Sequence, residues 1–240
     1  MAEQVHEIKT RQQVEEFYNS FKEHQKKLGV NIRHRTIFKN LKKAGLKSNS
    51  KVLEVGCGIG TVSSLILKYI NAGKFVGVDI SSESIEMARR LNGAYANATF
   101  VVNDMTTFSS RENFDFVVLP DVLEHIPVEQ HADLFKVLAS VTAFDATVLI
   151  NIPEPHCLDW IRKTRPELLQ IIDQSLSMQD LLNSVYPAGF KVYSISPYSL
   201  QYNEPDYVSI VLKKNMSQAA YTRKSKLALG ARNIKSKLLQ

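Results

Sequence analysis

The stretch Val52-Leu-Glu-Val-Gly56-Cys-Gly58-Ile-Gly60 constrains this chain more than any other. Alternating apolar residues run directly into three glycines, and an apolar amphipathic stretch follows at Thr61–Ile70. That is the pattern of a strand, a tight turn and a helix. Glycines in such a turn let the backbone reverse sharply and approach a ligand closely. The pattern then repeats. Strands are predicted at 51–55, 74–80, 98–102, 114–120 and 146–152, with helices over Thr61–Ile70, Ser82–Leu91 and Val128–Val141 between them. Strands alternating with helices of this length mean βαβ units and a parallel sheet. The last strands, 190–196 and 207–213, have no helix between them, which predicts an antiparallel hairpin at one edge.

The flanking segments read differently. Residues 1–50 carry helical spacing at Val14, Phe17, Phe21 and Leu28, with Gly29 as a stop. A second helix is expected near 32–44, closed by Gly45. The chain therefore divides into a helical cap or lid (1–48), a ligand-binding domain (49–214) and a basic tail (215–240). Within the domain, 153–189 is an insertion with a helix expected over Asp159–Asp173 and a short one over Met178–Tyr186. Charge follows the same division. Residues 1–50 hold eleven Lys/Arg against five Asp/Glu, residues 51–206 hold eleven against nineteen, and residues 207–240 hold eight and no acid. The tail is thus either a solvated end or a weakly amphipathic helix for an acidic surface.

Composition excludes several classes. At 44% hydrophobic and 22% charged the chain can bury a core, so it is neither disordered nor fibrous. No apolar run approaches the roughly 18 residues of a membrane span. The polar start lacks an apolar signal core, so the expected compartment is the cytoplasm. Cys57 and Cys157 form neither a disulfide framework nor a CxxC metal site, and no metal is expected.

The ligand can be narrowed from the residues. Asp79 ends the second strand, where a carboxylate can accept hydrogen bonds from two ribose hydroxyls. The glycines run Gly56-x-Gly58-x-Gly60, one residue short of the dinucleotide fingerprint. Glu54 stands just before the loop and would repel a pyrophosphate. A nucleoside-containing ligand with positive charge fits better.

VLEVGCGIG, VGVDIS, VVNDM and FDFVVLPDVLEHI, in that order and spacing, resemble the class I S-adenosylmethionine-dependent methyltransferases of the small-molecule type. The resemblance is close over about 50–152. It implies an α/β, Rossmann-like sheet of seven strands in the order 3-2-1-4-5-7-6, with strand 7 antiparallel and helices on both faces. It implies S-adenosylmethionine as cofactor and S-adenosylhomocysteine as product. Glu54, Gly56, Gly58 and Gly60 would lie under the methionine part. Asp79 would take the ribose, Ile80 and Met105 would meet the adenine, and Asp104 would accept from its amino group or else cap a local turn. Pro120 and Asp121 would stand beside the transferring methyl. Arg33 or Arg35 would hold the cofactor carboxylate, unless both are solvated charges, and Tyr18 would close over the site.

Acceptor chemistry is expected after the fourth and fifth strands. His125 and His156 are the candidate general bases, His156 slightly ahead because its loop is stiffened by Pro153 and Pro155. His24 and His34 are weaker candidates. Trp160, Tyr198 and Tyr202 are expected either to line an acceptor pocket or to pack in the core. The segment Leu119-Pro120-Asp121-Val122 lacks both the Asn/Asp-Pro-Pro-aromatic and the Pro-Cys patterns of DNA-base methylation. A small-molecule acceptor is therefore expected: a sugar, phenol, carboxylate or natural-product or lipid precursor, methylated on oxygen rather than nitrogen. The alternatives are an RNA or protein methyltransferase that uses the basic termini, and a non-catalytic cofactor-binding relative. No nucleic-acid recognition motif appears.

Overall fold

Seven strands join into one sheet in the order β3-β2-β1-β4-β5-β7-β6 in a computed structural model, which describes residues 9–215 apart from the side chains of Phe21, Glu23 and His24. Residues 216–240 of the expected tail (215–240) and the His24 side chain lie outside the described residues. The strands are β1 (Lys51–Val55), β2 (Lys74–Asp79), β3 (Ala98–Val102), β4 (Phe114–Pro120), β5 (Thr142–Pro153), β6 (Lys191–Tyr198) and β7 (Tyr207–Lys213). β1 pairs in parallel with β2 and β4, while β7 runs antiparallel to both β5 and β6. The expected order and the edge hairpin are both present.

Helices cover both faces. They are α1 (Arg11–Leu28), α2 (Ile32–Lys43), α3 (Thr61–Leu67), α4 (Ser82–Asn92), α5 (Val128–Val141), α6 (Pro155–Thr164) and α7 (Met178–Val185). Period-2 alternation sends neighbouring strand residues to opposite layers. In β4, Val117 and Leu119 join one core with Phe135 of α5 and Phe190, whereas Phe116 and Val118 join the other with Ile37, Ile66 and Ile85. Phe75, Phe135 and Phe190 are fully buried. Each contributes about 1.5–3 kcal/mol through removal of its side chain from water.

Helix ends follow from local chemistry. Thr10 and Gln13 close a capping box on α1, and Gly29 (φ 57°) ends that helix by donating to Gln25 O. Beyond α2, Gly45 N donates to Lys42 O and Leu46 N to Leu41 O, the paired bonds of a Schellman ending. One expected helix is displaced. In place of Asp159–Asp173, α6 starts at Pro155, with the Glu154 side chain accepting from Cys157 N. It ends at Thr164 because Pro166 forces Arg165 out of helical geometry (φ −142°, ψ 52°). Residues 165–177 then form a loop with one short turn, and α7 follows. β5 begins four residues earlier than expected and crosses a bulge opposite Phe114/Phe116. No described helix is long and apolar enough to cross a membrane.

Candidate active site

The carboxyl ends of β1, β2 and β4 open into a cavity of about 960 Å³. Its floor is the glycine loop. Gly56, Gly58 and Gly60 all take left-handed backbone (φ 68°, 51° and 83°), which other residues adopt at a cost. A Cβ on Gly56 would lie 2.2 Å from Val122 Cγ2, so the β1 and β4 loops meet where only glycine fits. The loop is tied down by Cys57 N donating to Val78 O and Gly58 N donating to the Asp79 carboxylate (2.8 Å). Asp79 also accepts from Ser81 N (2.9 Å). Its pKa is raised by burial, against the pull of these amides. Two amide bonds leave further lone pairs on the carboxylate for hydroxyl donors.

Glu54 is buried beside the loop. One oxygen accepts from Ser63 Oγ (2.6 Å), while Oε1 has no partner. Burial pushes its pKa up to about 8. Burial likewise raises the Cys57 thiol, so Cys57 is a small packing residue of the turn and no nucleophile. Ile80, Met105 and Pro120 line the cavity. Met105 (φ 68°) and Asp121 (φ 57°) hold left-handed backbone without being glycine, which is strain gathered at the cavity wall.

Helix α1 crosses the mouths of three strands and roofs the cavity. Gln25 Oε1 accepts from Ile59 N (3.4 Å) above β1. Ser81 Oγ donates to Asn19 and Lys22 pairs with Glu83 beyond β2. Arg11 pairs with Asp104 (2.8 Å) beyond β3. Asp104 also accepts from Thr106 N and Oγ1, so it caps a local turn while lining the cavity. Tyr18 of α1 lines the cavity with its ring 6.1 Å from the His125 ring.

Arg33 and Arg35 separate cleanly. Arg33 lines the cavity, pairs with Asp121 (3.0 Å) and donates to Tyr207 OH (3.1 Å). Asp121 also accepts from Asn151 Nδ2 (2.5 Å), and Asn151 Oδ1 accepts from Tyr198 OH (2.6 Å). Tyr198 stacks on Tyr207. Arg35 is exposed and away from the cavity. This network was not foreseen as a unit. The sequence singles out Arg33, Asp121 and Tyr198 separately, and only the fold joins them through Asn151.

The histidines also separate. His156 is exposed near the start of α6 and does not line the cavity. His34 lines it but serves a cap, its Nδ1 accepting from Asn31 N (3.2 Å). Burial, then Arg33, lowers its pKa to about 4, so the ring is neutral with its proton on Nε2. His125 lines the cavity with Nδ1 2.5 Å from Ile172 O and 3.2 Å from Asp173 Oδ1. Its Nε2 lies 3.8 Å from Glu124 Oε1. Burial opposes charge on this ring, but Glu124, Asp173 and the Ile172 carbonyl outweigh it and raise its pKa. Glu124 is itself buried and raised. The expected aromatic wall is elsewhere. Trp160 is half-exposed and packs edge-on against Tyr202, and neither they nor Tyr198 line the cavity. Leu168, Leu169 and Ile172 of the insertion line it instead.

Comparison with known proteins gives a consistent result. Residues 52–144 match the family model described as a methyltransferase domain. Nodulation protein S of Bradyrhizobium diazoefficiens is 28% identical over 132 residues, 53% of this chain and 62% of that protein. (S)-Coclaurine N-methyltransferase of Papaver somniferum is 24% identical over 188 residues, 76% of this chain and 49% of that protein. The chain thus spans about half to three fifths of the length of these two relatives. Magnesium protoporphyrin IX methyltransferase from Synechocystis PCC 6803, crystallised with S-adenosylhomocysteine, superposes with a TM-score of 0.67 at 19% identity, covering 85% of this chain and 99% of that one.

The residues present fit such a cofactor. The unpartnered Glu54 oxygen faces the site with its proton held by burial, which a bound positive charge would help release, and the glycine cradle would be filled by any side chain. Residues 52–144 match a methyltransferase domain, and the fold and motif order support a class I S-adenosylmethionine-dependent methyltransferase.

Proposed function

We propose that this chain moves a methyl group from S-adenosylmethionine to an oxygen of a small molecule, such as a sugar, a phenol, a carboxylate or a natural-product or lipid precursor. One observation carries the reading: a single roofed cavity runs from the glycine loop to His125, large enough for a nucleoside cofactor and a second small molecule. When bound, the cofactor supplies an electrophilic methyl on a sulfonium, open to in-line displacement. Glu54 and the glycine loop would receive its methionine part, Asp79 its ribose, and Ile80, Asp104 and Met105 its base. Arg33, which lines the cavity, would hold its carboxylate rather than the exposed Arg35. Residues 1–48 act as the lid, with Tyr18 closing on the site, and 153–189 cover the acceptor.

An oxygen nucleophile needs its proton removed, whereas an amine needs only to be neutral. His125 takes the base role in this reading and His156 is set aside, because His156 lies outside the cavity. The Ile172 carbonyl can only accept, so Nδ1 keeps its proton; with the ring's pKa raised to about 9, Nε2 is open to take one only as the pH approaches that value. Nitrogen is the second reading, favoured by the similarity to an N-methyltransferase.

Transfer of labelled methyl to a panel of small hydroxyl, carboxyl and amino compounds tests the choice. Label in an ether or a base-labile ester, lost in His125→Gln, is expected. Label in amines alone, with His125→Gln at full rate, would replace oxygen by nitrogen.

A further inference from the structure

The loop that covers the cavity also reaches the candidate base. Hydrogen bonds hold it in place. Arg162 of α6 donates to Asp173 O (2.8 Å) and to Ser175 Oγ (3.1 Å), and Ser175 donates in turn to Asp159 (2.6 Å). Gln170 N donates to the second Asp173 carboxylate oxygen (2.5 Å). Gln174 N donates to Glu124 O (3.0 Å), and Gln174 Nε2 donates to Ile126 O (2.8 Å). The Gln174 side-chain carbonyl accepts from Val128 N (3.3 Å). The loop is therefore fastened directly to the turn that carries His125.

We propose that Asp173 is a positioning residue for methyl transfer: the acceptor-covering loop delivers the carboxylate that fixes His125 with its proton on Nδ1 and Nε2 left to take the acceptor's proton. The inference rests on the reading of His125 as the base. Its logic is that of a base oriented by a third group. Neighbouring segments contribute too. Glu124 on the same turn lies 3.8 Å from Nε2, and Tyr18 of α1 faces the ring. Leu168, Leu169 and Ile172 line the cavity on the same loop, so acceptor contact and base orientation are joined in one segment.

The charge on His125 adds support. Asp173 is one of the groups that raise its pKa, so removing that carboxylate lowers the pH at which the ring loses its proton. The test is Asp173→Asn, read in two ways. Turnover against pH should reach a plateau about 10- to 100-fold lower, with its midpoint moved to lower pH than wild type and the KM for S-adenosylmethionine unchanged. A lower plateau with an unmoved midpoint would leave Asp173 a packing residue and overturn the proposal. The second readout needs no activity. Nitrogen-15 NMR of the histidines in wild type should show neutral His125 protonated on Nδ1. A neutral form protonated on Nε2 overturns the proposal even where Asp173→Asn does not fold. If His125→Gln keeps full turnover while the NMR result holds, the base reading fails and the Asp173–His125 contact remains structural.

Discussion

The two ends of the cavity are built by different means. The β1–β3 end is made of backbone: glycine amides, a turn that admits no side chain, and one carboxylate tied to two amides. The β4–β5 end is made of side chains brought together from distant segments. Arg33 meets Asp121 and Tyr207, Tyr198 meets Asn151, and Asp173 meets His125. A backbone cradle suits a constant ligand. A side-chain lattice can change without changing the loop beneath; in the proposed function its Arg33 serves the cofactor carboxylate while His125 stands on the acceptor side.

The comparison breaks most visibly at His125. His125→Gln is expected to lower turnover by roughly 10²–10⁴ while leaving S-adenosylhomocysteine affinity within about threefold. Parallel loss of cofactor binding would erase the distinction between the two ends. Next, Asp79→Ala is expected to weaken S-adenosylhomocysteine binding by about 1–3 kcal/mol, because ribose hydroxyls lose their acceptor. The same variant should also loosen the loop, since Gly58 N loses its partner.

These two residues differ in how far the sequence announces them. Asp79 follows from spacing alone, because a strand end, a glycine loop and a helix start fix each other's positions within one βαβ unit. The strand order follows from the same alternation. Arg33 and Asp121 stand 88 positions apart, and no local pattern joins them. Two prolines stiffen the neighbourhood of His156, yet stiffness does not set direction: α6 begins at Pro155 and leaves the ring in solvent. His125 lacked that cue. Its partners come from a loop whose shape depends on Pro166 ending α6 and on Arg162 and Gln174 reaching across.

Smaller effects sharpen the contrast. Arg33→Leu strips one partner from the partly buried Asp121 and should cost about 1–3 kcal/mol of stability in denaturant unfolding. An unchanged midpoint would show that Asn151 alone satisfies that carboxylate. A pH-dependent effect is expected for Glu54→Gln. Glu54 has a folded pKa of about 8 against an ordinary 4.5, so between these values the folded chain keeps a proton that the unfolded chain has released. Stability therefore falls as pH rises through that window. The variant should show a shallower fall in Tm between pH 5 and pH 8.5 and weaker cofactor binding. An identical slope would mean that Glu54 is ionised in the free protein.

The most direct test of the backbone cradle as the cofactor site is calorimetric titration of S-adenosylhomocysteine into wild type, Asp79→Ala and His125→Gln side by side. The account predicts binding to wild type, clear weakening in Asp79→Ala and near-normal affinity in His125→Gln. No binding to wild type, or equal affinity in wild type and Asp79→Ala, would contradict it.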